Sequence, residues 1–369
     1  MTEPILNIPH AKKTIGGDDV FVIAEIGKNF IQTLEDRPSE EYLKNAKDLI
    51  DAASESGADA VKFQTHELED EFVNVDVTSP HFKGSDRYSW IKRNMEATPL
   101  SFWKEIKKHC DDRGIIFFST PMSRKAAMKL EEVGVPFWKI GSGDVGDHVT
   151  LDFIASTGKP LIISSGMVSL VELDEVIAHI RGRGIPLAVL YCVSQYPCPP
   201  ELFNLATIVY MREKYPDMVI GFSDHSVDGH EVDLAAIKLG ARIIEKHFSF
   251  SRDLWGADHK ASITPDEMRL MISDIRNGKA QEVDVTPYFG VRSKELEGAN
   301  SVFRPYFNKA LVAGGDIPAG TVLTKDLIFA MRPKMYISGL PAHEFDAVVG
   351  KKLRKTLRKY DPIEETAFE

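Results

Sequence analysis

The chain alternates between two hydrophobic rhythms. Apolar runs recur at VFVIAEIG (20–27), AVKFQT (60–65), IIFFST (115–120), PFWKIGS (136–142), KPLIISSGM (159–167), PLAVLYCV (186–193), MVIGFSDH (218–225) and RIIEKHF (242–248). Runs of this length, bounded by Gly, Pro or polar residues, predict buried parallel strands. Between them lie amphipathic stretches such as EEYLKNAKDLIDAASESG, LSFWKEIKKHCDDRG and MSRKAAMKLEEVG. These predict helices, the first with Ser39 as its cap and Gly57 as its stop. Strand and helix alternate over about 260 residues, the size and rhythm of an α/β chain folded as a (β/α)8 TIM barrel. An open doubly wound sheet has the same alternation. It rarely needs eight regular units, however, and no G-x-G-x-x-G follows the first strand.

Three stretches break the rhythm. The first residues form a polar lead-in, and His66–Thr98 is a long polar loop that predicts a lid. From about Gly278 apolar periodicity disappears, and beyond it short runs such as KALVAGG and IPAGTVLT predict a small β-rich domain. The expected division is a barrel over 1–280, a linker over 281–300 and a small domain over 301–369. Hydrophobic content of 43% and 27% charged residues suit a globular protein, and the net charge of -10 argues against general nucleic-acid binding. Cys110, Cys192 and Cys198 are an odd set without framework spacing, which suits a reducing compartment. The N-terminus lacks the basic start and apolar run of a signal peptide, and no stretch is apolar enough to span a bilayer. The expected location is cytoplasmic.

A barrel carries its chemistry at the C-terminal ends of its strands. With side chains alternating along each strand, the inward positions there are Glu25, Lys62, Gln64, Thr120, Lys139, Ser164, Ser223, His225, Glu245 and His247. A barrel interior built only for packing would carry Val, Ile and Leu at these points. The two lysines, Thr120, Ser142, Ser164 and Ser223 make a cradle for a phosphate or carboxylate. Glu25 and Glu245 are the available acid–base groups. His225 and His247 end adjacent strands and read either as a metal pair or as two unrelated histidines. Tyr196 and Asp258, on loops after later strands, can contact a polar substrate. Asp224 and Lys246 fall on the opposite strand face, as ion-pair members under the helices.

The segments IAEIGKN, DAVKFQTH, FFSTP, KIGSGD, ISSGM, GFSDH, EKHF and GADHKAS, with Arg332–Pro333 near the end, occur in one order along almost the whole chain. Together they resemble the sialic acid (N-acetylneuraminate) synthase family, phosphoenolpyruvate-dependent synthases of nonulosonic acids. The resemblance implies a TIM barrel followed by an antifreeze-like (SAF) domain, in a domain-swapped homodimer. It implies condensation of phosphoenolpyruvate with an N-acyl mannosamine-type sugar, releasing phosphate. It also implies that His225 and His247 hold a divalent metal, Mn2+ or Mg2+. Lys62, Thr120, Lys139, Ser142, Ser164 and Ser223 match phosphoenolpyruvate contacts, and Glu25 matches the acidic residue beside the metal. Gln64, Tyr196, Glu245 and Asp258 match the sugar side, and Arg332 matches an arginine reaching in from the partner chain.

Two positions depart from the family pattern. Gly27–Gln32 lacks the histidine and second glycine of G-x-N-H-x-G, and Ser194 stands where many members have Asn. A deoxy diacetamido sugar is therefore an acceptor to weigh beside N-acetylmannosamine. Two rival readings are a related sugar-phosphate/phosphoenolpyruvate keto-acid synthase and a non-catalytic carbohydrate-binding relative.

Overall fold

A computed structural model describes residues 3–80, 82–292, 294 and 302–369. Twelve strands are described. β1 (Ile5–Ile8) and β2 (Lys13–Gly16) pair as an antiparallel hairpin, and the eight barrel strands follow. These are β3 (Phe21–Gly27), β4 (Ala60–Thr65), β5 (Ile116–Pro121), β6 (Trp138–Ile140), β7 (Leu161–Ser164), β8 (Leu187–Cys192), β9 (Val219–Asp224) and β10 (Ile243–His247). Their order runs β5-β4-β3-β10-β9-β8-β7-β6, all parallel. First and last strands pair in register, Glu25 opposite His247, while β5 and β6 lie side by side without a ladder. The barrel is therefore nearly closed.

Each strand's inward face changes character along its length. Phe21, Ile23, Phe118, Phe137, Ile162, Leu190, Val219 and Ile243 form an apolar floor, where Phe118 and Phe137 pack 4.4 Å apart. Leu6, Ile8 and Ile15 of the hairpin plug this floor from below, so the lead-in is a structural element and not a loose tail. The plug removes apolar surface from water at the open end of the barrel, the main source of stability available there. One period further along, the same faces turn polar. The outward faces, including Val22, Val61, Phe117, Ile163, Ile220 and Ile244, pack under the surrounding helices.

The helices are α1 (Ser39–Glu55), α2 (Arg87–Ala97), α3 (Leu100–Arg113), α4 (Arg124–Val133), α5 (His148–Ser156), α6 (Leu170–Arg181), α7 (Ala206–Lys214), α8 (Glu231–Lys238) and α9 (Pro265–Arg276). Ser39 is not the cap of α1. Pro38 occupies the cap position, and the Ser39 hydroxyl instead donates to the carbonyl of Ala97 at 3.0 Å. The expected lid is also more ordered than a loop, because α2 runs through it with Trp90, Ile91, Asn94 and Ala97 buried. Phe82, Trp90 and Trp255 pack with ring centres 5.2 to 5.4 Å apart and pin this segment to the loop after β10. No helix among the described residues is long and apolar enough to cross a membrane.

The first half of the expected linker contains a helical turn, Thr286–Phe289, and its later part lies outside the described residues. In the small domain β11 (Ala310–Ala313) pairs antiparallel with β12 (Ile328–Met331) over a core of Leu311, Ile317, Leu323, Phe345, Leu353 and Ile363. Val149 of α5 joins that core, so the two parts share apolar surface. Backbone bonds from Val73 N to Arg332 O (2.9 Å) and from Arg332 N to Glu71 O (2.8 Å) dock it on the lid segment.

Candidate active site

The polar inward positions close over a cleft of about 1020 Å³, counted to its open mouth. At its base Lys62 Nζ lies 2.7 Å from Glu25 Oε2 and 3.6 Å from Glu245 Oε1, and Lys139 Nζ lies 3.9 Å from Glu245. Lys139 also donates to Ser164 Oγ at 2.6 Å, Lys62 to Thr120 Oγ1 at 3.5 Å and Ser223 Oγ to Glu245 at 3.1 Å. Two acids and two bases thus share a nearly water-free floor, where charge interactions are strong.

Their protonation follows from the geometry. Burial pushes the Glu25 carboxyl up to about 7, with Lys62 opposing and Glu245 reinforcing. Burial would raise Glu245 too, but the charges of Lys139 and Lys62 outweigh it and hold it below the usual range. Burial would lower Lys62, yet its two carboxylate neighbours keep it charged. Lys139 has weaker support, and burial brings it down to about 8. A base poised near neutrality therefore stands beside two cations, an acid–base and anion-binding combination in one place.

At the lip of the floor His225 and His247 bring their rings to 5.4 Å between centres. His225 Nδ1 donates to the Val193 carbonyl at 2.8 Å, which fixes the tautomer and leaves Nε2 with a free lone pair. His247 Nδ1 is buried without a hydrogen-bond partner among the described residues. Burial lowers both rings, His225 to about 4, so both are neutral at physiological pH. Neutral imidazoles with an oriented lone pair are what a divalent cation requires, so the pair fits one. Two protein ligands leave coordination positions for substrate oxygens. Beneath them Lys246 bonds to Asp224 and Asp233, all three fully buried, and ties β9, β10 and α8 together behind the histidines.

Close approach of the loops depends on glycine. A Cβ at Gly166 would stand 2.3 Å from Ser194 Oγ and 2.7 Å from Ser142 Oγ. Without one, the Gly166 amide donates to Ser142 Oγ at 2.9 Å. Gly27, at φ +54, similarly lets Gln64 Nε2 reach Glu25 Oε1 at 2.9 Å. On the outer wall Tyr196 lies 4.0 Å from His225 between ring centres and 5.9 Å from Phe303, which meets it edge-on.

A family model described as NeuB family matches residues 49–285, and one for the SAF domain matches residues 308–369. The chain belongs to the NeuB family. Human N-acetylneuraminate-9-phosphate synthase is 32% identical over 360 residues, covering 95% of this chain and 93% of the relative. N,N'-diacetyllegionaminic acid synthase of Campylobacter jejuni is 30% identical, covering 88% and 95%. Among solved structures, the spore coat polysaccharide biosynthesis protein spsE of Bacillus subtilis superposes with a TM-score of 0.80 at 29% identity, over 99% of both chains. The family membership makes this chain an enzyme, a synthase of the transferase class.

Of the residues expected in the site of this NeuB-family barrel, thirteen line the cleft: Glu25, Lys62, Gln64, Thr120, Lys139, Ser142, Ser164, Tyr196, Ser223, His225, Glu245, His247 and Asp258. Ser194 is buried behind Gly166 and supports the loop. Arg332 stands behind the wall, bonded to Asp144 of the same chain, with Lys309 bridging Asp144 (3.0 Å) and Asp147 (2.7 Å) beside it. Sequence reasoning missed Cys192, Lys28, Arg87 and the pair His66–Glu71 (2.8 Å). Cys192 was readable, since the period through Ala188 and Leu190 points it inward.

Proposed function

We propose that this NeuB-family enzyme condenses phosphoenolpyruvate with an N-acyl mannosamine-type aldose, giving a nonulosonic acid and phosphate. The observation that carries the reading is the floor. Lys62 and Lys139, with Thr120 and Ser164, form a dry cradle for a small dianion beside a neutral histidine pair and a carboxyl near pKa 7. Phosphoenolpyruvate brings a phosphate and a carboxylate to that cradle, where hydroxyl donors fix their direction.

The methylene carbon of phosphoenolpyruvate attacks the aldehyde carbon of the open-chain sugar, and the aldehyde oxygen takes up a proton. Positive charge left on the phosphate-bearing carbon is captured by water, whose proton passes to Glu25. The adduct loses its hydroxyl proton, the bond from carbon to the phosphate oxygen breaks, and inorganic phosphate leaves a 2-keto acid. Glu25 acts as base because burial holds its carboxyl near 7, and Gln64 keeps it oriented. Lys62 and Lys139 stabilise the anion through the sequence. His225 and His247 would hold Mn2+ or Mg2+, which supplies Lewis-acid polarisation of the aldehyde oxygen when bound.

Phosphate release from phosphoenolpyruvate, measured with each metal and a panel of N-acyl hexosamines, tests this. His225→Ala and His247→Ala are expected to lose metal-dependent turnover while keeping the wild-type circular dichroism spectrum. Full activity in either variant would remove the histidines from the metal role.

A further inference from the structure

Strand β3 does not run regularly through the active site. Its ladder with β4 pairs Glu25 with Lys62 and then Gly27 with Phe63, so β3 carries one extra residue, Ile26. Such a bulge re-aims the side chains that follow it. Gly27 completes the turn at φ +54, where a Cβ would stand 3.2 Å from Glu25 Oε1 and 3.3 Å from Gln64 Nε2. Lys28, the next residue, thereby leaves the strand's alternation and lines the cleft. It fills a position that the pattern G-x-N-H-x-G leaves open.

From Lys28 a run of polar contacts leads back to the base. Lys28 Nζ donates to Gln64 Oε1 at 2.7 Å, and Gln64 Nε2 donates to Glu25 Oε1 at 2.9 Å. The other carboxylate oxygen, Glu25 Oε2, lies 2.7 Å from Lys62 Nζ. The direction of this run is set at its Lys28 end. An ammonium has only hydrogens to offer, so it draws the carbonyl end of the amide and leaves the NH2 end for Glu25. Turned the other way, the amide carbonyl would face a carboxylate oxygen, two acceptors with no hydrogen between them. Only a protonated Glu25 would suit that arrangement, and a protonated carboxyl is no base. Burial disfavours the charge on Lys28, and among its neighbours Asp258 supports it most.

We infer that Lys28 is a positioning residue for the condensation: by fixing the Gln64 amide, it holds the Glu25 carboxylate in one orientation and as a hydrogen-bond acceptor. The inference rests on the base role given to Glu25 above. Lys28 itself exchanges no proton with substrate; it decides which end of an amide the base meets.

Two measurements test this, one of them independent of turnover. The chain has four glutamines, so 15N labelling of glutamine side chains resolves the Gln64 amide by its loss in Gln64→Leu. In the wild type its two hydrogens are expected to stay distinct and to exchange slowly with solvent. In Lys28→Met they are expected to exchange about tenfold faster, because one of the two bonds that hold the amide is gone. Equal exchange in Lys28→Met and the wild type would overturn the inference.

In steady-state turnover, Lys28→Met is expected to lower kcat about tenfold, part of what a general base contributes, and to leave KM for phosphoenolpyruvate unchanged. Lys28→Arg keeps the donors and should recover most of the loss. Placed in a Gln64→Leu background, Lys28→Met should cost little further, because its effect passes through the amide. An equal loss in both backgrounds would overturn the inference, since Lys28 would then act on the substrate directly. If the wild type turns over no acceptor, the condensation reading fails, and the exchange measurement still decides whether Lys28 fixes the amide.

Discussion

At the scale of single residues, the active-site floor works by unequal solvation of like groups. Glu25 and Glu245 both contact Lys62, but Glu245 also lies within reach of Lys139, so it stays ionised while Glu25 titrates near 7. Glu25→Gln keeps the bond to Gln64 but removes the proton acceptor, and kcat is expected to fall by roughly 10²–10⁴-fold. Lys139 loses its charge as pH rises through about 8, because burial lowers its pKa. The cradle then holds one cation instead of two. The pH profile of kcat/KM for phosphoenolpyruvate should therefore fall on the alkaline side near 8, and Lys139→Arg should carry that limb to higher pH. A profile flat to pH 10 would contradict the assignment. Most of these residues were legible because the two-residue period of a strand assigns them one face. Lys28 and Arg87 were not, since a loop and a short polar helix have no such rule to aim their side chains.

At the scale of elements, the histidine clamp depends on what lies behind it. Lys246 is wedged between Asp224 and Asp233 with no solvent access, and burial together with Asp224 pushes the Asp233 carboxyl up to about 8 against the pull of Lys246. Lys246→Met leaves two buried carboxylates without a cation, expected to cost about 3–5 kcal/mol in urea unfolding at pH 8. Carboxyls whose folded pKa is raised bind protons more readily in the folded state, so the deficit should shrink as pH falls towards 5. A deficit independent of pH would mean that lost packing, and not charge, is responsible. The strands themselves were readable from their apolar runs. The β1–β2 plug was missed because only Leu6, Ile8 and Ile15 carry its pattern. Helix α2 was missed because RYSWIKRNMEA is polar around its stripe of buried residues.

At the scale of the molecule, the small domain completes the wall of the cleft through Phe303 and Phe307, with Arg332 and Lys309 bonded to Asp144 behind it. Such long-range docking leaves no periodic trace in sequence, and only the family resemblance pointed to Arg332. The same contact can be made within a chain or, by domain exchange, between two chains. We expect exchange. Mixing Lys139→Ala chains with Arg332→Ala chains should then restore activity that neither has alone, because one hybrid site is intact. No recovery after unfolding and refolding the mixture would confine the contact to one chain. The central claim is the condensation itself, and the mass of the product tests it most directly. Incubation of the enzyme with phosphoenolpyruvate, Mn2+ and N-acyl mannosamines, with and without a 6-phosphate, should yield an acid heavier than its acceptor by one pyruvate unit, with one phosphate released per molecule formed. Unchanged acceptors across the panel, with phosphoenolpyruvate intact, would contradict it.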